Sequence, residues 1–72
     1  MTTETRSLAE QVRRHLQRAP ADWLTTSEIS QALSVPRHDV GRALTWLIGV
    51  RAVERDVHDQ MGVLVVRWRA AR

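Results

Sequence analysis

The sequence has no cysteine, no lysine, no phenylalanine and no tyrosine. Without cysteine, neither disulfides nor thiolate-bound zinc can reinforce a small core, and nothing indicates an oxidising compartment. No segment approaches the roughly 20 apolar residues that a membrane-spanning helix needs, and no apolar signal-peptide stretch follows the opening residues MTTETR. These absences favour a cytoplasmic protein without a membrane partner.

The residue patterns of common catalytic sites are missing as well. His15, His38 and His58 are about 20 residues apart, so no close pair of histidines offers metal ligands. The sequence contains no glycine-rich phosphate loop, and its serine, histidine and aspartate residues form no nucleophile motif. We therefore expect no enzymatic activity, no metal site and no cofactor.

Arginine is the residue type in which the sequence is unusually rich. Its eleven arginines face eight acidic residues, which gives a net charge of +3 and an isoelectric point near 11.3. A GC-rich genome alone could produce this bias, but the planar guanidinium also suits phosphate groups and guanine edges. In a chain of 72 residues, enough for one small domain, the basic balance favours a polyanionic partner.

The first amphipathic segment predicts a helix over residues 7–19, preceded by a disordered N-terminus at residues 1–6. Ser7 and Glu10 have the spacing of a capping box, in which two side chains satisfy free amides at a helix start. Pro20 ends the pattern. The apolar stripe of this helix consists of Leu8, Val12 and Leu16.

Two further helices are predicted, with a tight corner between them. The run TTSE at residues 25–28 repeats the capping-box spacing and opens a short second helix that ends near Leu33. The run SVP at residues 34–36 stops it, because a residue before proline is pushed out of the helical region. Pro36 suits the first turn of a third helix, predicted over residues 36–48. Its buried face consists of Val40, Leu44 and Leu47.

From Ala52 onward, β-branched residues on both sides of a turn-forming cluster predict a β-hairpin, with the turn at residues 58–62. Alternation along the second strand directs Leu64, Val66 and Trp68 towards the helices. Trp23 and Trp68 are predicted core residues, because a domain without phenylalanine or tyrosine needs its large side chains inside. Trp46 lies on the shoulder of the third helix, where it is either covered by neighbouring elements or exposed as a partner contact.

This order of elements resembles the winged helix-turn-helix domains. LTTSEISQAL resembles the first helix of the helix-turn-helix pair, VPRHDVGRALTWL resembles the recognition helix, and ALTWLIGVRAVERD resembles the stretch that leads into the β-hairpin, or wing. The resemblance covers residues 7–70, leaves residues 71–72 as a tail, and implies an α+β fold with three helices packed on a small antiparallel hairpin. The family usually has Gly, Asn or Lys where this chain has Arg51, so either Arg51 is left-handed or the turn is built differently.

The resemblance implies that the third helix enters the major groove of double-stranded DNA and that Arg37 and Arg42 bind guanine edges. The amides at the start of the second helix and the basic residues of the wing would contact phosphates. The candidate groove contacts are Arg37, His38, Gly41, Arg42 and Thr45. The candidate phosphate contacts are Thr26, Ser27, Arg55, Arg67 and Arg69, with His58 beside them. Four acidic residues lie near the same face and reduce its positive field: Asp39, Glu54, Asp56 and Asp59.

Two functions fit these patterns. The leading interpretation is a small transcriptional regulator that binds double-stranded DNA sequence-specifically and acts, for example as a repressor, by occupying its operator through residues 36–48 and the wing at 52–69. One recognition helix covers only a short site, so a homodimer or tandem binding is expected. The alternative is a winged-helix module that docks on a protein such as a polymerase or a host factor, through Trp46 and the wing, without binding DNA.

Overall fold

The computed structural model describes residues 3–18 and 22–71, which form helices packed on a three-stranded antiparallel sheet. The elements in chain order are α1 (Thr3–Arg18), β1 (Leu24–Thr25), α2 (Thr26–Leu33), α3 (Arg37–Gly49), β2 (Val53–Gln60) and β3 (Val63–Ala70). The strand order is β1-β3-β2, so β3 is central and β2 lies at an edge. None of the helices in the described ranges has the length and hydropathy of a membrane-spanning segment.

Helix α1 begins at Thr3, earlier than the predicted start at Ser7, so residues 3–6 are helical rather than disordered. Ser7 therefore does not cap the helix. Instead, Glu10 accepts hydrogen bonds from Arg13 and lies 3.6 Å from Nε of Arg14. These ion pairs join residues three and four positions apart on the solvent side of the helix and so stabilise it. The predicted end at Pro20 lies outside the described residues.

The corner between α2 and α3 is built as the sequence predicts. Thr25 Oγ1 accepts from the Glu28 N–H at 3.1 Å, and Glu28 Oε1 accepts from the Thr25 N–H at 3.0 Å, which completes the capping box. Ser34 then adopts a left-handed conformation with φ 55°, and the Val35 N–H donates to the Ser30 carbonyl at 3.1 Å. Pro36 directly precedes α3, and its carbonyl oxygen accepts from the N–H groups of Asp39 at 3.0 Å and Val40 at 3.1 Å.

Arg51 resolves the alternative posed by the sequence, because its φ of 60° places it in the left-handed region. Its N–H donates to the carbonyl of Ile48 at 3.1 Å, and the Ala52 N–H donates to the carbonyl of Leu47 at 2.9 Å. A non-glycine residue accepts this conformation at some cost in free energy. The chain thereby reverses within three residues and enters β2.

The strands of the hairpin are longer, and its turn is shorter, than the sequence predicts. Residues 53–60 pair with residues 63–70 from Val53 opposite Ala70 to Gln60 opposite Val63. Only Met61 and Gly62 form the turn, and both have positive φ, 53° and 82°, as a type I′ turn requires. The predicted turn residues His58, Asp59 and Gln60 therefore lie in β2.

The core lies between the three helices and the base of the hairpin. Trp68 belongs to it, with 8% exposure, as predicted. Leu64 and Val66 do not, since they are 71% and 37% exposed, and the prediction that they face the helices is wrong. The helices cover only the half of the hairpin nearest to them. The buried apolar residues are Ala9, Val12, Leu16, Ile29, Val40, Ala43, Leu44, Leu47, Val53, Trp68 and Ala70.

Candidate nucleic-acid interface

Helix α3 has one apolar face and one polar face. Val40, Ala43, Leu44 and Leu47 are buried on the first. The rotation of about 100° per residue places the opposite face around residues 38, 42, 45 and 49, all of which are exposed. Helix α3 therefore has the buried apolar face and the exposed polar face that the sequence predicts.

The start of α2 and the start of α3 meet through two of the candidate contacts. Arg37 Nη1 donates to Ser27 Oγ at 3.2 Å. Thr26 precedes Ser27, but its hydroxyl oxygen accepts from Trp68 Nε1 at 3.1 Å and so anchors α2 to the sheet. The structure thus brings Ser27 and Arg37 together, whereas the Thr26 hydroxyl already has an internal partner.

The other two basic candidates on α3 are unpaired. Within residues 3–18 and 22–71, neither His38 nor Arg42 makes a hydrogen bond or ion pair, and both are exposed. Arg42 borders a shallow depression next to Asp39 and the N-terminal half of α1. Arg37 is five positions before Arg42, which is about 140° around a helix, so Arg42 lies on the outward face with His38 and Arg37 lies at the side of that face.

Gly41 and Thr45 complete the set on α3. Thr45 Oγ1 donates to the Gly41 carbonyl at 2.9 Å, so the hydroxyl hydrogen is used and the oxygen remains free to accept. A Cβ at Gly41 would meet nothing within 4 Å, so packing inside the chain does not require a glycine there. The space beside Gly41 is open to an external group.

The two predicted arginines of β3 have internal partners. Arg67 Nη2 donates to Asp56 Oδ2 at 2.7 Å, and Arg69 Nε donates to Glu54 Oε2 at 2.8 Å. The hydrogen bond from Arg67, followed by its positive charge, lowers the pKa of Asp56. His58 Nδ1 lies 3.6 Å from the same Asp56 carboxylate. The cationic field of this face is therefore largely compensated by its own carboxylates.

Trp23 lies beneath the same arginines and is half-buried, not a core residue as predicted. Its ring centre is 4.2 Å from the guanidinium carbon of Arg69 and 5.8 Å from that of Arg67. Sequence reasoning missed the carboxylate partners of both arginines. The signal is the spacing of two residues between the acidic residues on β2 and between the arginines on β3, which antiparallel pairing turns into facing charges.

Arg55 differs from the other two wing arginines. It lies opposite Trp68 on the other face of the hairpin, is exposed, and makes no hydrogen bond or ion pair to any described residue. Trp46 is 37% exposed and borders a second depression, formed with residues of α1 from Arg6 to Arg14. Neighbouring elements therefore do not fully cover Trp46, and its role as a partner contact stays a prediction. Among the described residues, no group of three His, Cys, Asp or Glu side chains could hold a metal.

Comparison with solved structures places this architecture among known folds. A protein named "Possible transcriptional regulator from Methanosarcina mazei Go1" superposes on the whole of this chain with a TM-score of 0.85 and 18% sequence identity. The match covers 57% of that protein, so the chain spans little more than half its length. No protein-family model and no curated protein matches the sequence. The fold is the predicted α+β winged helix-turn-helix, with three helices on an antiparallel sheet.

Proposed function

We propose that this chain binds double-stranded DNA with α3 in the major groove and regulates transcription by occupying an operator. The observation that carries the proposal is the outward face of α3, where Arg37, His38 and Arg42 are exposed on a helix whose opposite face is fully buried. The major groove admits one such helix, and arginine is the usual partner of guanine. The name of the structurally similar protein supports a regulator.

The contacts divide by their position in the fold. Arg42, near the middle of the exposed face and without a carboxylate partner, is the proposed guanine contact, with His38 beside it. Arg37 and Ser27 lie at two helix starts, where free amides favour an anion, so we assign them to phosphate. Gly41 admits close backbone approach, and Thr45 accepts a hydrogen bond.

On the wing, Arg55 is the proposed phosphate contact because its charge is not already paired. Arg67 and Arg69 stay predicted contacts, but a phosphate would compete there with Asp56 and Glu54. For the same reason, the amides of residues 26 and 27 are better candidates than the Thr26 hydroxyl, which is bonded to Trp68. Phosphate contacts of this kind orient the protein without reading sequence.

A salt titration on duplex DNA tests the proposal. The affinity should fall steeply as the salt concentration rises, with a logarithmic slope of about −0.9 for each phosphate neutralised. Chemical-shift changes on adding the duplex should include residues 37–45 and the start of α2. The variant Arg42→Ala should abolish site preference, whereas Arg18→Ala, which removes one exposed charge at the end of α1, should leave site preference intact. Binding no tighter than millimolar at low salt would refute DNA binding.

One observation favours the second candidate function, docking on a protein. Trp46 is exposed beside α1, and tryptophan is a frequent anchor at protein interfaces. If no duplex binds and Trp46→Ala disrupts a protein complex, this function replaces the first. Trp46 lies only about 40° from Arg42 around α3. Chemical shifts therefore separate the two functions through the other elements: DNA should shift the start of α2, whereas a protein docked on Trp46 should shift the α1 residues of its depression, from Arg6 to Arg14.

A further inference from the structure

The DNA-binding proposal uses β2 only through Arg55 and leaves the rest of its outer edge without a role. Strand β2 is eight residues long and lies at the edge of the sheet, and no strand among the described residues pairs with its outer side. Arg55, Val57, Asp59 and Gln60 on this strand are exposed, so no described element covers the edge. An edge strand presents unpaired N–H and C=O groups that another strand can bind.

We propose that β2 pairs in antiparallel fashion with β2 of a second copy, around a two-fold axis that passes through Val57. Directly opposite residues of an antiparallel pair project to the same face of the sheet. A two-fold axis perpendicular to the sheet preserves that face, so one residue must lie opposite its own copy. The register of the pair is therefore fixed once the residue on the two-fold axis is known.

Charge selects Val57 for that position. With Val57 on the axis, Arg55 faces the partner's Asp59, and Asp56 faces the partner's His58. Moving the axis by one residue to Asp56 places two aspartates in contact, and moving it to His58 places two histidines in contact. With Arg55 on the axis, two arginines face each other and Glu54 faces the partner's Asp56. Like charges directly opposite are destabilising, whereas opposite charges stabilise the pair.

Arg55 and Asp59, which this register places opposite each other, are available in the single chain, whereas Asp56 already pairs with Arg67. Arg55 makes no ion pair or hydrogen bond to any described residue. Asp59 uses Oδ1 to accept from the Gly62 N–H at 2.7 Å, which leaves Oδ2 for an arginine. Edge strands often carry charges that oppose pairing, but in this register those charges become complementary.

Apolar side chains support the same arrangement. Val57 is 50% exposed, and Val66, opposite it on β3, is 37% exposed on the same face. Pairing would join these two valines to their copies in one apolar stripe across four strands, with Leu64 diagonally adjacent. The structure otherwise leaves this stripe in water, and its removal from water favours association.

A single introduced cysteine tests the register, because the natural chain has none. In the Val57→Cys variant, the two sulfurs would face each other across the axis, at a Cα separation of about 4.5–5.5 Å that a disulfide can span. In the control Arg55→Cys, the equivalent atoms lie about four residues, or roughly 14 Å, apart along the strands and cannot be bridged. We expect the first variant to form covalent dimers more than about tenfold faster under mild oxidation.

Sedimentation of the natural chain tests the association itself. The apparent mass should rise towards a dimer between about 10 µM and about 1 mM, the range in which small interfaces associate. The variant Val57→Lys places two ammonium groups at the axis and should remain monomeric. The control Val63→Lys changes an exposed valine that lies on the other face, beside the turn, and should still dimerise.

Two results would overturn the proposal: a monomer at every concentration, or equally rapid crosslinking of the Val57→Cys and Arg55→Cys variants. The proposal does not depend on DNA binding. A duplex long enough for only one copy should bind the Val57→Lys variant and the natural chain alike, so failure of either proposal can be recognised separately.

Discussion

The sequence predicts that the arginines of α3 and those of β3 both contact DNA, the first at bases and the second at phosphates, but the structure gives them different surroundings. Arg42 is exposed and has no partner among the described residues, whereas Arg67 and Arg69 lie 2.7 Å and 2.6 Å from carboxylates and cover the ring of Trp23. The first is free to bind an external anion, and the other two hold a hairpin together. A basic residue therefore becomes a candidate ligand for DNA only when no acidic residue within the fold already faces it.

The largest effect that distinguishes the two groups should be on DNA binding. We predict that Arg42→Ala lowers the affinity for a preferred duplex by about 5- to 150-fold, equivalent to about 1–3 kcal/mol, because it removes a contact to a base edge. Arg67→Ala should lower it by less than about threefold, since Asp56 already compensates that charge. Fluorescence anisotropy with a labelled duplex measures both.

The salt dependence provides the control for this pair of variants. Loss of a phosphate contact reduces the logarithmic slope by about one unit and affects all sequences equally, whereas loss of a base contact reduces discrimination between sequences. Equal losses of affinity in the two variants would show that the ion pair in the hairpin opens on DNA and that the distinction between the two groups is wrong.

The effect on folding stability should be smaller and should be reversed, so that a paired arginine of β3 matters and an unpaired arginine does not. We predict that Arg69→Gln lowers the free energy of unfolding by about 1 kcal/mol, because it removes a partly exposed ion pair with Glu54 and a cation–π contact 4.2 Å from the ring centre of Trp23. Arg55→Gln, on the neighbouring strand, should change it by less than about 0.5 kcal/mol. Urea unfolding at low protein concentration measures both, and equal losses would contradict the assignment.

The sequence predicts the helical half of the fold well, because its signals there are local. The capping box at Thr25 and Glu28, the stop before Pro36 and the spacing of Val40, Leu44 and Leu47 each depend on residues within about one or two turns. The start of α1 is the exception. Ser7 and Glu10 match a capping box, but arginine pairing with Glu10 within a longer helix competes for the same carboxylate.

The hairpin is predicted in type but not in extent, because its facing and length depend on tertiary structure. Alternation correctly places Leu64, Val66 and Trp68 on one face of β3, but only the position of the helices decides that Trp68 is covered and Leu64 is not. The register that pairs Arg67 with Asp56 follows from a two-residue turn at Met61 and Gly62. The sequence does not identify this turn, because all five residues from 58 to 62 are of turn-forming types. For the candidate site, the polar face of α3 can be predicted from helical periodicity. The pairing of the wing arginines with carboxylates cannot be predicted without the register of β2 and β3.

The smallest expected effect, on pH dependence, tests whether the ion pairs of the hairpin contribute to folding. Arg67 holds the pKa of Asp56 below its ordinary value of 3.8, so the folded chain binds this proton less readily than the unfolded chain. The contribution to stability is therefore present above about pH 4 and is lost as the pH falls through the lowered pKa. We predict that the natural chain melts at a higher temperature than Asp56→Asn at about pH 6 and that the gap narrows by about pH 3. Glu10, whose pKa is also lowered, titrates in both proteins and cancels in the difference. A gap of the same size at both pH values would show that the Asp56 carboxylate contributes no charge-dependent stability to the hairpin.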